Sequence, residues 1–201
     1  MLFKVIGDEE PIKLFIGGVH GSEGEITEKV LLQLLNLLNK NKVYLKRGKL
    51  IICNLSKKGE YLSTLNKAYY QSEIGMKLLE LIRRYKPHIY VELHSYSPES
   101  YFKLIDPERK QKIGAPPLVE LEQGVLIGSI SPLIRTSEFK INDLCLTLEF
   151  PNLKPPLDFT VSLLALIANQ DKAGILQSFE ARYPEQYKVM VKNFKEYFGI
   201  K

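Results

Sequence analysis

Three short stretches of this chain carry side chains that could do chemistry together. In Gly17-Gly18-Val19-His20-Gly21-Ser22-Glu23, an imidazole and a carboxylate stand in His-x-x-Glu spacing just after the apolar run Lys13 to Ile16. A histidine at a strand's end and a glutamate in the next helix's first turn can point at one spot. That pairing suits zinc, with a further ligand coming from elsewhere in the chain, and the glycines permit a sharp turn with room for a ligand. The same spacing also serves a purely structural turn. In Glu92-Leu93-His94 the acid precedes the histidine by two positions on a strand-like run. Both then face one side, and the carboxylate can orient the ring as carboxylates do for metal-bound histidines. Taken alone, the pair also reads as a satisfied structural histidine. Glu149 lies at the end of the apolar run Leu144 to Phe150, where an unpaired carboxylate is costly. Either the strand reaches the surface there, or Glu149 is a partly desolvated base with a raised pKa. His88, just after Pro87 at the start of a strand, reads as structural.

The surrounding elements must bring these residues together. Leu2 to Ile6 and Lys13 to Ile16 read as strands joined by an acidic turn ending in Pro11. From Glu23 to Asn39, apolar residues at Ile26, Val30, Leu31, Leu34, Leu35 and Leu38 keep helical spacing, closed by Asn39 and Asn41. Lys49 to Leu55 is a third strand and Ser56 to Gln71 a polar loop. A helix from about Glu73 to Tyr85 is stopped by Pro87, and His88 to Leu93 is a strand ending at His94. The Pro- and Gly-rich text from Ser95 to Leu121, with a short strand expected at Tyr101 to Ile105, is long enough to cover or line a site. Val125 to Ile130 and Leu144 to Phe150 are further strands. Phe159 to Asn169, about 174–181, and Pro184 to Phe198 are helical. This alternation predicts an α/β fold with a mixed, partly parallel β-sheet and helices on both faces. One catalytic-type domain is expected over 1–201, with a helical C-terminal portion from about 156. Such sheets bind ligands at their strands' carboxyl ends, and His20, His94 and Glu149 all fall at or near those ends.

Composition narrows the function classes. At 201 residues, 45% apolar and 25% charged, the chain is of ordinary globular make-up. Its net charge of +5 comes from 28 basic and 23 acidic residues scattered among one another. There is no Lys/Arg stripe interleaved with aromatics, and Gly17-Gly18 is too short for a phosphate loop, so no nucleic-acid partner is expected. Met1 to Gly7 runs at once into three acids and does not read as a leader. No apolar run is long enough to span a bilayer. A cytoplasmic protein with no membrane partner is therefore expected, in which Cys53 and Cys145 are reduced core thiols. Richness in Lys, Glu and Ile with no Trp suits a thermophile.

Taken in order, His20-Gly21-Ser22-Glu23, Glu92-Leu93-His94 and Glu149 resemble the zinc carboxypeptidase superfamily, most of all its succinylglutamate desuccinylase and aspartoacylase branch. The branch's first motif reads Gly-Gly-x-His-Gly-x-Glu, as Gly17 to Glu23 does. Its second reads Asp-Leu-His, where this chain carries Glu92, one methylene longer. The match runs from Lys13 to Pro151. The resemblance implies a zinc-carboxypeptidase-like fold and one Zn2+ per chain, held by His20, Glu23 and His94, with Glu92 behind His94. It implies that Glu149 takes a proton from water and passes it to the leaving amine. Asn66 and Lys67, in Ser63-Thr64-Leu65-Asn66-Lys67, resemble the family's Asn-Arg pair that grips a substrate carboxylate, with Asn54 in place of an earlier asparagine. Lysine offers a point charge where arginine offers a planar fork. No arginine matches the one the family uses to support the oxyanion; Lys57 and Lys58 lie in that loop. Arg135 loosely resembles an aspartoacylase-type substrate-binding arginine, a surface arginine being the alternative.

The activity so implied is zinc-dependent hydrolysis of an amide bond in a carboxylate-bearing substrate, as in an N-acyl amino acid deacylase or a carboxypeptidase. The partner is then a small anionic amide or peptide. The alternative is a catalytically inactive metal-binding member acting as a binding or sensor module, which the missing arginine favours. Aspartoacylase-like members add a small β-domain after the catalytic one, whereas the text after Pro151 is mostly helical. A more open site is expected, or one covered by the partner subunit of a homo-oligomer.

Overall fold

Four apolar runs, β2 (Ile12–Gly17), β3 (Lys49–Asn54), β4 (Ile89–Tyr96) and β7 (Leu144–Pro151), form the parallel centre of a seven-stranded sheet. The computed structural model describes residues 2–39, 45 and 47–200. The strand order is β1-β3-β2-β4-β7-β6-β5, with β1 (Leu2–Ile6), β6 (Leu126–Ser129) and β5 (Val119–Glu120) antiparallel to their neighbours. Parallel neighbours need crossovers. Helix α1 (Gly24–Asn39) supplies one between β2 and β3, and α2 (Glu73–Tyr85) supplies the next, between β3 and β4. Strand β1 pairs with β3 rather than with β2, its neighbour in the chain. Asn41 lies outside the described residues.

The central strands are buried on both faces, so they read as continuous apolar runs rather than as alternating ones. On one face Phe15, Ile52, Val91 and Leu148 pack with Leu31 and Leu34 of α1 and with α6 (Leu157–Asn169) and α7 (Lys172–Arg182). On the other, Leu14, Ile16, Ile51 and Tyr90 meet Leu78 and Ile82 of α2 and Ile134 of α5 (Pro132–Ser137). Ser72 caps α2, its hydroxyl accepting from the Gly75 N–H, and Lys86 closes the helix in the left-handed conformation just before Pro87. A lysine, Lys13, is wholly buried in β2. Its Nζ donates to the Ala168 carbonyl at the C-terminal end of α6, where helix carbonyls favour a cation. Burial lowers its pKa to about 8, against the pull of Asp171.

The expected strand at Tyr101 to Ile105 is a helix instead. A 3-10 turn at Pro98–Ser100 leads into α3 (Tyr101–Leu104), and α4 (Arg109–Ile113) follows, ended by Gly114 in the left-handed conformation. Tyr101, Leu104 and Ile105 have helical spacing, and they pack on Tyr96, Leu118 and Leu126. That small cluster decides the conformation. Strand β4 runs on to Tyr96, so His94 lies within it rather than at its tip. The last elements are α6, α7 and α8 (Pro184–Phe198). Among the described residues no helix is long and apolar enough to cross a membrane, and both cysteines are free and buried.

Candidate active site

The turn after β2 is forced by crowding. Gly18 has φ +64°, and a Cβ on it would sit 2.0 Å from the Ser56 carbonyl oxygen. A Cβ on Gly24 would lie 1.8 Å from the same oxygen. Polar groups lock this turn to β3. The Gly18 N–H donates to Thr27 Oγ1 (2.9 Å), whose hydroxyl lies 2.9 Å from Asn54 Oδ1. Asn54 Nδ2 donates to the Gly24 and Ser56 carbonyls. Asn54 is thus scaffold. His20 and Glu23 are presented at the carboxyl edge of the sheet.

His94 comes to the same place from β4. One suitable ligand atom each from His20, Glu23 and His94 all lie within 4.8 Å of one another, near enough for small side-chain rotations to bring them onto one ion. The two imidazoles stack with centroids 4.9 Å apart. Glu23 is held in place by the His20 N–H to Oε1 (3.2 Å) and the Ser95 N–H to Oε2 (3.3 Å). Glu92 Oε2 lies 3.2 Å from His94 Nε2, while Tyr90 donates its hydroxyl to Glu92 Oε1 at 2.7 Å. The other ring nitrogen, Nδ1, is buried 3.2 Å from Glu23 Oε1 yet not aligned for a hydrogen bond. A buried ring nitrogen without a hydrogen bond, beside a carboxylate and a second imidazole, is a donor set that fits zinc.

Electrostatics follow from this packing. Burial lowers the His20 pKa, against attraction to Glu23. Burial works the same way on His94, but Glu23 and Glu92 outweigh it and hold the pKa well above the usual histidine value. Glu23 is held below the usual carboxylate range, burial notwithstanding, by His94 and His20. Glu149 faces His94 across the β4–β7 ladder. Burial pushes its pKa up to about 7, against the pull of His94 and Arg109.

His20, Glu92, His94 and Glu149 line a cavity of about 390 Å³, with Glu23 behind its wall. No spacing signal in the sequence pointed to one of its walls, Arg109 of α4. Its Nη1 donates to the Pro116 carbonyl (2.6 Å), and its Nε is buried with no hydrogen-bond partner. Burial lowers its pKa, against the pull of Glu149. Only the length of the Ser95 to Leu121 loop pointed to that region. Tyr61 stands edge-on to the His20 ring, centroids 4.7 Å apart.

Three sequence-based assignments are corrected. Asn66 is exposed and caps the 3-10 turn Lys67–Gln71, its Oδ1 accepting from the Ala68 N–H. Lys67, also exposed, begins that turn. The cavity wall is made instead by Ser63, Thr64 and Leu65. Arg135 is buried and lies outside the cavity lining, not at the surface. Its guanidinium donates to the carbonyls of Lys140, Ile141 and Asp143 and lies over the rings of Phe194 and Phe198.

The brace behind His94 has a measurable consequence. Glu92→Gln should weaken zinc binding about 10–100-fold in chelator competition, because the ring loses the carboxylate that orients it. An unchanged affinity would remove Glu92 from the site.

Solved structures place this architecture in a class. It resembles an aspartoacylase family protein from Mesorhizobium loti, with a TM-score of 0.50 and 14% identity over 83% of this chain and 60% of that one. A metallo-carboxypeptidase from Pseudomonas aeruginosa gives a TM-score of 0.45 and 13% identity, over 87% of this chain and 58% of the other. The chain thus spans about six-tenths of the length of these two structures. The first of these likenesses concerns the fold alone, which is of the aspartoacylase kind. The chain belongs to the DUF2119 family, described as an uncharacterized protein conserved in archaea, which it matches over residues 8–199. An uncharacterized protein of Methanocaldococcus jannaschii is 38% identical over 177 residues, or 86% of this chain and 84% of that one.

Proposed function

We propose that this protein is a zinc-dependent hydrolase of an amide bond in a small carboxylate-bearing substrate, an N-acyl amino acid or a peptide C-terminus. The observation that carries this reading is a three-donor cluster whose two histidines share one cavity with a carboxylate of raised pKa, Glu149, on the adjoining strand. Zinc held by His20, Glu23 and His94 would supply Lewis-acid polarisation of the scissile carbonyl and a more acidic water.

The chain's own groups do the rest. Glu149 accepts a proton from the attacking water and delivers it to the amine nitrogen as the C–N bond breaks. A carboxylate poised near neutrality suits both transfers. Glu92 and Tyr90 keep the His94 ring oriented. Arg109, with its Nε unspent, receives the anionic part of the substrate, which a guanidinium can grip with parallel hydrogen bonds. Leu104, Ile113 and Leu118 give the cavity an apolar side for the acyl group.

The test is an assay of zinc-loaded protein against N-acetyl and N-succinyl amino acids and short peptides. Free amine should be released, and Arg109→Ala should raise KM about 10–100-fold by removing a charged anchor. Tightly bound zinc with no release across the panel would leave a metal-binding module in place of an enzyme.

A further inference from the structure

A second cavity, of about 320 Å³, lies apart from the metal cluster and shares only Ser129 of β6 with the first. Its walls include Cys145 and Leu146 of β7, Ile175 and Phe179 of α7, and Met190 and Phe194 of α8. It opens to solvent, with Ile141 and Lys195 of its lining exposed. Helix α8 explains how it persists. Tyr187, Met190, Val191 and Phe194 form an i, i+3, i+4, i+7 stripe facing this space, yet no residue of the helix is fully buried. The helix is held from its other side instead. Lys110 donates to the Glu196 carbonyl, Tyr197 to the Gly114 carbonyl and Asn193 to the Pro117 carbonyl. Tyr187 and Met190 of the stripe touch the edge of the main core, and these bonds leave the rest of the stripe over a gap.

The polar groups at the cavity specify the occupant. Lys172 and Lys195 contribute to its lining. Lys172 donates to the Asn142 carbonyl (2.6 Å), and Lys195 makes no ion pair among the described residues. The one carboxylate, Asp143, already accepts from the Lys140 N–H (2.7 Å). Burial pushes the Cys145 thiol well up, so it acts here as apolar wall rather than nucleophile. A site with apolar walls and a few charges is typical of small-molecule binding.

We propose that this cavity binds an amphipathic anion, a single hydrocarbon chain whose charged head meets Lys172 and Lys195. The chain replaces the missing packing against the α8 stripe, and the two lysines select against a neutral head. The inference does not rest on the metal reading and stands or falls separately from it.

Titration calorimetry on the full, zinc-treated chain with decanoate, decyl phosphate and decanol tests it. Decanoate or decyl phosphate should bind at least about tenfold more tightly than decanol, and the preferred one of the two identifies the head. The double variant Lys172→Glu/Lys195→Glu should erase that preference while decanol binding persists. Leu176→Trp, which fills the cavity, should abolish binding of all three. Should that variant fail to fold, the surface charge variant still decides. Equal binding of decanol and decanoate overturns the proposal, as does a preference that survives charge reversal. Failure of all three to bind overturns it too, including the case in which sedimentation shows the α8 face buried between two copies of the chain.

Discussion

Glu149→Gln should lower turnover of the zinc-loaded protein by about 10²–10⁴-fold, the range for loss of a general acid–base group, while zinc binding is retained. Rates and metal content measured on the same preparation separate the two effects. A glutamine variant that keeps near-wild-type turnover would remove Glu149 from the reaction. The same substitution has an opposite effect on the metal-free protein. Burial raises the Glu149 pKa from its ordinary 4.5 to about 7. Between those values the folded chain holds a proton that the unfolded chain releases, so stability is lost as pH rises through this window. Glutamine is neutral throughout. Metal-free Glu149→Gln should therefore be more stable than wild type above pH 7, by up to about 3 kcal/mol, with the gain fading toward pH 4.5. Urea unfolding at pH 5 and pH 8 measures it, and a gain independent of pH would contradict the assignment.

His20→Ala and His94→Ala should each weaken zinc binding by about a thousandfold or more, since each removes a direct ligand, but their effects on folding should differ. His94 lies between two buried carboxylates, Glu23 and Glu92. Its removal leaves them without their shared cation, at a cost of about 3–5 kcal/mol. His20 is partly exposed and should cost far less. His20→Ala is thus the variant that loses metal and still folds, and thermal unfolding with and without zinc should show it. Because Glu23 and Glu92 keep His94 protonated, zinc must displace that proton. Apparent affinity should then fall as pH is lowered, by about tenfold per pH unit for each proton displaced. Calorimetry in buffers of different ionisation enthalpy counts the protons, and none released would contradict the His94 assignment.

Much of this was legible in local sequence because the responsible forces are local. Long apolar runs bounded by Gly, Pro and Asn specify buried strands, and the spacing of Val30, Leu31, Leu34 and Leu38 specifies α1. The cluster of His20, Glu23 and His94 could be anticipated because strand ends in a parallel sheet share one edge. Glu92 could be placed because residues two apart on a strand face the same way. Tertiary structure decided the rest. Tyr101 to Ile105 became helical because its apolar stripe packs on Tyr96 and Leu118, a contact no local window contains. Arg135 reads as a loose motif match, but the carbonyls of the turn that follows it and two rings of α8 engage its guanidinium away from the cavity. Arg109 carries no motif, and it reaches the cavity only because Lys110 and Gly114 of its segment are tied to α8 and because its own Nη1 bonds Pro116. The sequence alone determined the sheet, its helices and the donors at one edge, since periodicity and strand direction dictate them. Which cations face that edge depended on long-range packing, since a cation's partners are set by whatever chain segments fold against it.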